Sequence, residues 1–600
     1  MILLHSGQLP DCTRETARNE VVTCNEGNSC IIKHMAKEYH YNWELHLNAS
    51  PEALWPFVAN TNRFNRDTGL PPVERLGFSN GVSHMRFKIP LINIEWEENP
   101  FEWTYPYRFG IVRSYKKGPL AEMRVLCELA PAESGTRMNY KVWARPRNLL
   151  GDAAIGVGIG LVSARRFEGV FRSYDNLAAA GRTPLDAPGT ARLAVGGRRR
   201  LAAGRAELES FGIAPDLAAR LITMLQESDD LSLARMRPFA LADYWGADRR
   251  QTLEMFLQAA RIGLLDIQWE LICPMCRGAA ERHQNLNEIH AHSHCPSCQM
   301  DFEANFDRQV EVTFRPNPAV RALSEEAIFC VGSPQHVPHI NLAQNVPAGT
   351  SVSLSTLLDE GPYILRSQLG EIRLRALAQG GAERVEIDSA RPPEGEIPVS
   401  RMPTLHLRNS EDTALDFMLE NGAWGNQAAT AADVTSLQLF RDLFSNEALR
   451  AGEELSISSV TLMFTDLRDS TRMYRLIGDA PAFGRVRQHF EILEQEIAAQ
   501  GGAVVKTMGD AVMAVFRQPL GAVLAIQNAH AEITKTEGTP PLYLKVGIHR
   551  GPCIAVTLNE RLDYFGSTVN AAARLPGLAE GGEIVLSEQA ASDPQVSEWL

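Results

Sequence analysis

Val460-Thr-Leu-Met-Phe-Thr-Asp466-Leu-Arg-Asp-Ser-Thr471 is an apolar, β-branched run that ends in an acid and turns polar. It predicts a buried strand with Asp466 at its end and a helix opening between Leu467 and Thr471. Further on, Val504-Val-Lys506-Thr-Met-Gly509-Asp510-Ala-Val-Met-Ala-Val-Phe516 predicts a tight hairpin, apolar on both arms, with Gly-Asp at its tip. Two carboxylates at the ends of neighbouring strands can hold a pair of divalent cations. A third stretch, Leu562-Asp563-Tyr-Phe-Gly566-Ser-Thr-Val-Asn570-Ala-Ala-Ala-Arg574-Leu, puts Asn570 and Arg574 on one helix face, four residues apart. Taken singly, each stretch is ordinary: a turn, a strand-edge lysine that resists aggregation, a helix-surface pair. Their order gives them weight.

Together these motifs resemble the class III adenylate and guanylate cyclases, over residues 455–600. The resemblance implies a ferredoxin-like βαββαβ sheet with helices on one face, working as a head-to-tail homodimer. It places the metal acids at Asp466 and Asp510, with the main-chain carbonyl of Leu467 as a further ligand to two Mg²⁺ or Mn²⁺ ions. The opening helix then suits a triphosphate through its N–H groups and positive dipole end. Asn570 would orient the ribose, and Arg574 would neutralise charge at the α-phosphate.

By the same resemblance, Lys506 and Asp563 choose the base. An ammonium donates to adenine N1 and a carboxylate accepts from the exocyclic amino group. Guanine presents the opposite pattern, and buried hydrogen bonds discriminate strongly because the wrong base leaves partners unpaired. The pair therefore implies ATP. Two positions depart from the family. Asp469 stands where relatives often have Gly, and is expected to point outward as an early-helix acid. Relatives also continue past the strand Glu583–Leu586 into a hairpin with a basic residue for the phosphates, and a chain ending at Leu600 would lack that contact and be a weaker enzyme.

With 600 residues the chain is too long for one core. Hydrophobic content of 44% and charge of 22% are those of ordinary globular protein. A net charge of −13 argues against nucleic acid or an anionic membrane as main partner. The longest apolar candidate, Ala153–Val162, is too short and Gly-rich to span a bilayer. No signal peptide opens the chain, so a cytoplasmic location is expected, with residues 1–38 a disordered extension or a mis-called start. The ten cysteines are no disulfide framework. Cys127, Cys330 and Cys553 read as core residues, and Cys12, Cys24 and Cys30 lie in a polar stretch.

The remainder reads as a multidomain α+β chain. Residues 39–185 run as helix, strands and closing helix, with Ser50 and Pro51 starting the first helix. Strands are expected at 82–90, 108–115, 123–129 and 137–145, and a helix at Ala164–Ala180. This order resembles the helix-grip fold of the START and polyketide-cyclase-like superfamily, which implies either an apolar ligand cavity or a filled structural core. Residues 186–210 read as a linker, with the short basic run Arg198–Arg200 solvated. Residues 211–270 resemble a winged helix, with Asp248 capping the second of two helices. This segment holds nine acids against six arginines, which favours protein contact over DNA.

Cys273-Pro-Met-Cys276 and Cys295-Pro-Ser-Cys298 (271–300) have the spacing of a four-cysteine zinc ribbon, hence one structural Zn²⁺ with no open position. His290, His292 and His294 lie between them. Residues 301–425 read as a small β-sandwich starting at Gln309–Phe314. Residues 426–454 form a connector whose amphipathic helix, Thr430–Leu449, runs into the C-terminal domain. The whole reads as an adenylate cyclase making cyclic AMP for signalling, regulated from upstream. The rival is a weakly catalytic regulator acting through the winged-helix and ribbon region.

Overall fold

The computed structural model describes residues 20–25, 29–34, 37–79, 82–88, 93–186, 193–275, 278–295, 300–323, 334–422, 427–535 and 541–600. Within the expected extension, Glu20–Asn25 and Ser29–His34 pair as an antiparallel hairpin. The next unit opens with a strand, Tyr39–Leu47, that pairs with Thr136–Pro146. Sequence reading passed over its period-two run of Tyr39, Tyr41, Trp43, Leu45 and Leu47. Two helices follow, the first capped by Ser50 accepting from the Ala53 N–H. Strands from Val73 to Pro146 then lead through a π-type turn segment into the closing helix Ala164–Ala179. Between sheet and closing helix, the rings of Phe64, Tyr140, Phe167 and Phe171 pack together with centroids 4.8 to 5.5 Å apart, Phe64 and Phe171 stacked and the other pairs tilted or edge-on.

The expected sandwich is corrected in two ways. Val310–Pro316 does not belong to it but pairs with Leu265–Ile272 of the preceding module. The strands from Ile340 to Asn421 do have their own core, around Tyr363, Leu374, Leu405 and Leu419. Their sheet is nevertheless not separate: Ile340–Val346 pairs with both Leu415–Asn421 and Glu102–Thr104 of the N-terminal unit. An open strand edge carries unpaired N–H and C=O groups, and the two units satisfy each other's edge. The Trp103 indole N–H adds a 2.8 Å bond to the Ile340 carbonyl.

The expected linker is also corrected. Residues 187–192 lie outside the described residues, but Gly197–Ser210 is a helix whose Leu201, Gly204 and Leu208 are buried. Helices Pro238–Trp245 and Arg249–Arg261 make the helix-turn-helix, with Asp248 accepting from the Gln251 N–H at 2.8 Å. Leu265–Ile272 follows, at the centre of a three-stranded sheet. Cys273 and Cys295 are buried in one small core with Met275 and Phe302. Cys276, Cys298 and Cys330 lie outside the described residues. His290 and His294 face Glu453 and Asp301, at 3.2 and 2.8 Å.

The connector is two short helices rather than one, α1 (Ala431–Thr435) and α2 (Gln438–Leu443). A Thr430–Asp433 capping box starts α1. Ser436 ends it by donating back to the Asp433 carbonyl, a local bond that competes with helix continuation, and Leu437 is extended.

The C-terminal unit comprises β1 (Leu455–Leu467), α3 (Ser470–Ile477), α4 (Asp479–Ala499), β2 (Ala503–Met508), β3 (Ala511–Phe516), α5 (Pro519–Lys535), β4 (Leu544–Leu558), β5 (Arg561–Phe565), α6 (Ser567–Arg574) and β6 (Ile584–Leu586). The sheet order is β2-β3-β1-β4-β5, with β6 parallel to β4. Helices α4 and α5 cover one face through Val486, Leu493, Ile497, Val523 and Ile526. The other face does not end at a domain boundary. Leu462, Phe464, Met513, Val515, Leu562 and Tyr564 share one buried cluster with Phe440, Trp269 and Phe256 from upstream. Among the described residues, no helix is long and apolar enough to cross a membrane.

Candidate active site

Asp466 lies one residue beyond the Thr465↔Val512 pair of β1 and β3. Asp510 sits in the two-residue turn closed by Met508↔Ala511. Gly509 takes the left-handed φ of 67° that such a hairpin turn needs. The two acids feel each other. Burial first, then the Asp510 charge, raise Asp466 above the ordinary carboxylate range, opposed by Lys545 and by the Leu467 N–H. Asp510 Oδ2 is buried without a hydrogen-bond partner. Crowded hard oxygens, one of them orphaned, fit a divalent cation of the Mg²⁺ or Mn²⁺ kind. Leu467, the proposed carbonyl ligand, closes β1 directly after Asp466.

Sequence reading missed His489. It lies on the buried face of α4, in line with Val486 and Leu493. Burial pushes it down to about 4, against the pull of the Val486 carbonyl and Asp510. It is therefore a neutral imidazole near neutral pH, set behind the Gly509-Asp510 turn. Its only signal in the sequence is one histidine on an otherwise apolar helical stripe.

Lys506 and Asp563 come together: Nζ donates to Oδ2 at 2.6 Å. They stand on β2 and β5, the two edges of a five-strand path that would span about 19 Å if flat. The sheet must therefore curl enough for the two side chains to bridge the distance between its edges. A bulge at Val505, where pairing jumps from Val504↔Ala514 to Lys506↔Met513, turns Lys506 to the face shared with Met513. Asp563 is almost fully buried, its other oxygen accepting from the Tyr564 N–H at 2.8 Å. Asn570 and Arg574 occupy α6 one turn apart, both exposed.

Asp469 points outward as expected, pairing loosely with Arg468 at 3.6 Å. Its backbone is unexpected: it is the N-cap of α3 in the left-handed region, φ 54°, and its side chain makes no capping bond. That conformation suits glycine, and the first N–H groups of α3 are left without a side-chain acceptor.

Comparison with known proteins agrees with the fold of this unit. Residues 453–595 match the family model described as the adenylate and guanylate cyclase catalytic domain. Residues 209–379 match a family of unknown function, DUF5939. An adenylate cyclase of Lachancea kluyveri is 34% identical over 158 residues, 22% of this chain and 8% of the relative. One from Mycosarcoma maydis is 32% identical over 162 residues, 23% of this chain and 6% of the relative. This chain thus spans less than a tenth of either relative's length. Among solved structures, a monomeric adenylate cyclase from Trypanosoma brucei aligns over 24% of this chain and 80% of its own at 24% identity, with a TM-score of 0.22. Residues 453–595 are a class III adenylate and guanylate cyclase catalytic domain, joined here to a segment, 209–379, of a family without assigned function.

Proposed function

We propose that this protein is an adenylate cyclase converting ATP to cyclic AMP and pyrophosphate in a homodimer. The observation that carries the choice of base is the Lys506–Asp563 pair at 2.6 Å. Adenine entering between them takes a hydrogen bond from the ammonium at N1 and gives one to the carboxylate from its amino group. The nearly buried Asp563 makes this selective, since guanine would leave it facing a carbonyl oxygen. Asp466, Asp510 and the Leu467 carbonyl would hold divalent cations, which when bound neutralise triphosphate charge and lower the barrier to deprotonating the ribose 3′-hydroxyl. The open N-terminus of α3 accepts phosphate oxygens. In the homodimer, Lys506, Asp563, Asn570 and Arg574 of one chain would complete the pocket whose metal acids, Asp466 and Asp510, come from the second copy, with Asn570 at the ribose and Arg574, exposed on α6, at the α-phosphate.

Lys506→Glu combined with Asp563→Ser is expected to reverse the preference, lowering the ATP:GTP ratio of kcat/KM by about 100-fold or more. An unaltered protein that already prefers GTP rules out the adenylate assignment.

Upstream, the closely packed rings of the N-terminal unit support a filled core over a ligand cavity in the helix-grip reading. Cys273 and Cys295, buried in one core, together with Cys276 and Cys298 support a four-cysteine zinc ribbon. Metal analysis is expected to find one Zn²⁺ per chain, released on acidification because thiolates must be deprotonated to bind. A zinc-free folded protein whose Cys273 and Cys298 react with thiol reagents removes the ribbon.

A further inference from the structure

The connector helix α2 touches both edges of the curled sheet within one helical turn. On one side, Gln438 Oε1 accepts the Val504 N–H of β2 at 2.8 Å, beside the bulge that turns Lys506. On the other, Arg441 donates from Nη1 to the Leu562 carbonyl at 3.1 Å and from Nη2 to the Tyr564 hydroxyl at 3.3 Å. Those two residues flank Asp563. The guanidinium also lies 5.6 Å from the Tyr564 ring centroid, and its Nε donates to the Thr435 carbonyl at 2.9 Å, tying it to the end of α1. A planar guanidinium holds these three acceptors from separate nitrogens in one fixed fork, whereas an ammonium offers its three donors from a single freely rotating point.

The backbone explains why such a strut is needed. A bulge leaves Val504 next to an unpaired residue, and β5 is the opposite edge of the sheet, so neither strand is held by a neighbour on its outer side. Phe440, between Gln438 and Arg441 on α2, packs edge-on against Trp269 with centroids 6.0 Å apart. Trp269 belongs to the central strand of the upstream module. The same short helix therefore joins that module to both strands carrying the base-reading residues.

We propose that α2 is the strut that sets the separation of Lys506 and Asp563, making Gln438 and Arg441 positioning residues for the nucleotide base and the route by which the upstream module reaches the pocket. This rests on the reading of Lys506 and Asp563 as the adenine pair. Gln438 and Arg441 bond the backbone beside the pair and the Tyr564 hydroxyl and, among the described residues, make no bond to Lys506 or Asp563 themselves. Loss of either loosens one edge, so discrimination falls while chemistry at saturating ATP persists.

The test measures kcat and KM for ATP and GTP in full-length Gln438→Ala, Arg441→Ala, Arg441→Lys and Tyr564→Phe, with hydrogen exchange at residues 503–507 and 561–565. Arg441→Ala and Gln438→Ala are each expected to narrow the ATP:GTP ratio about tenfold, the weight of roughly one lost hydrogen bond. KM for ATP should rise while kcat changes less than about threefold. Exchange should quicken at 561–565 in the Arg441 variants and at 503–507 in the Gln438 variant. Arg441→Lys should not restore the ratio. Tyr564→Phe, which keeps the ring and removes one acceptor, guards against misfolding of the larger truncations and should shift the ratio by less, in the same direction. An unchanged ratio in Arg441→Ala and Gln438→Ala overturns the strut, provided that the Lys506→Glu/Asp563→Ser chain does shift preference. If that control shifts nothing, the adenine-pair reading falls, and the strut with it.

Discussion

An Asp466→Ala chain mixed with an Arg574→Ala chain is expected to recover roughly a quarter of the unmutated activity, although each alone is nearly dead. Asp466 belongs to the carboxylate pair at the ends of β1 and β3, where Asp510 Oδ2 has no partner. Removing one of the two proposed metal acids should leave little activity, because the cations would lose a carboxylate ligand. Arg574 is exposed on α6, away from any burial that would give it a purely structural role. In the proposed head-to-tail pair each site would take its metal half from one chain and its α6 half from the other. Random mixing makes half of the dimers mixed, and each mixed dimer has one intact site of two, hence the quarter. The measurement is cyclic AMP formation against mixing ratio, with dimerisation followed by sedimentation. A mixture that dimerises yet stays as inactive as its parents shows that the site is not shared.

The second large effect concerns the boundary at residue 453. The family match begins there, yet the core does not. Leu455, Ile457, Leu462, Phe464, Met513, Val515, Leu562 and Tyr564 are buried in a cluster shared with Phe256, Trp269 and Phe440. A fragment starting at Glu453 exposes that face and is expected to aggregate or bind hydrophobic dye, as large contiguous apolar patches do. In the full chain, Phe440→Ala removes a ring that packs on Trp269 and Phe444, and should cost about 3–5 kcal/mol of stability. Light scattering and thermal melting check both. A monodisperse fragment melting like the full chain shows that the shared core is not needed for the catalytic unit to fold.

The reading of the C-terminal unit from sequence rested on local signals. A β-branched run with an acid at its end, a Gly-Asp turn between apolar arms, and an i,i+4 pair on a short helix are each written within a few residues, because strand burial, turn conformation and helix periodicity are short-range properties. The helix-turn-helix and the Ser50 and Asp248 caps were legible for the same reason. Sequence alone thus named Asp466, Asp510, Lys506, Asp563, Asn570 and Arg574 as candidates and anticipated the strand, turn and helix that carry them, but not His489. It could not show that a bulge at Val505 turns Lys506 onto the face of Met513, that the sheet curls enough for Lys506 and Asp563 to bridge its edges, or that Gln438 and Arg441 bond to both edges. It also divided the chain where composition changes, whereas one sheet runs through the first and third units and one core runs through the second and the last. Edge pairing and apolar burial join residues hundreds of positions apart, and no local pattern records which partner a strand edge or an apolar face will find. Only the tertiary structure decided that.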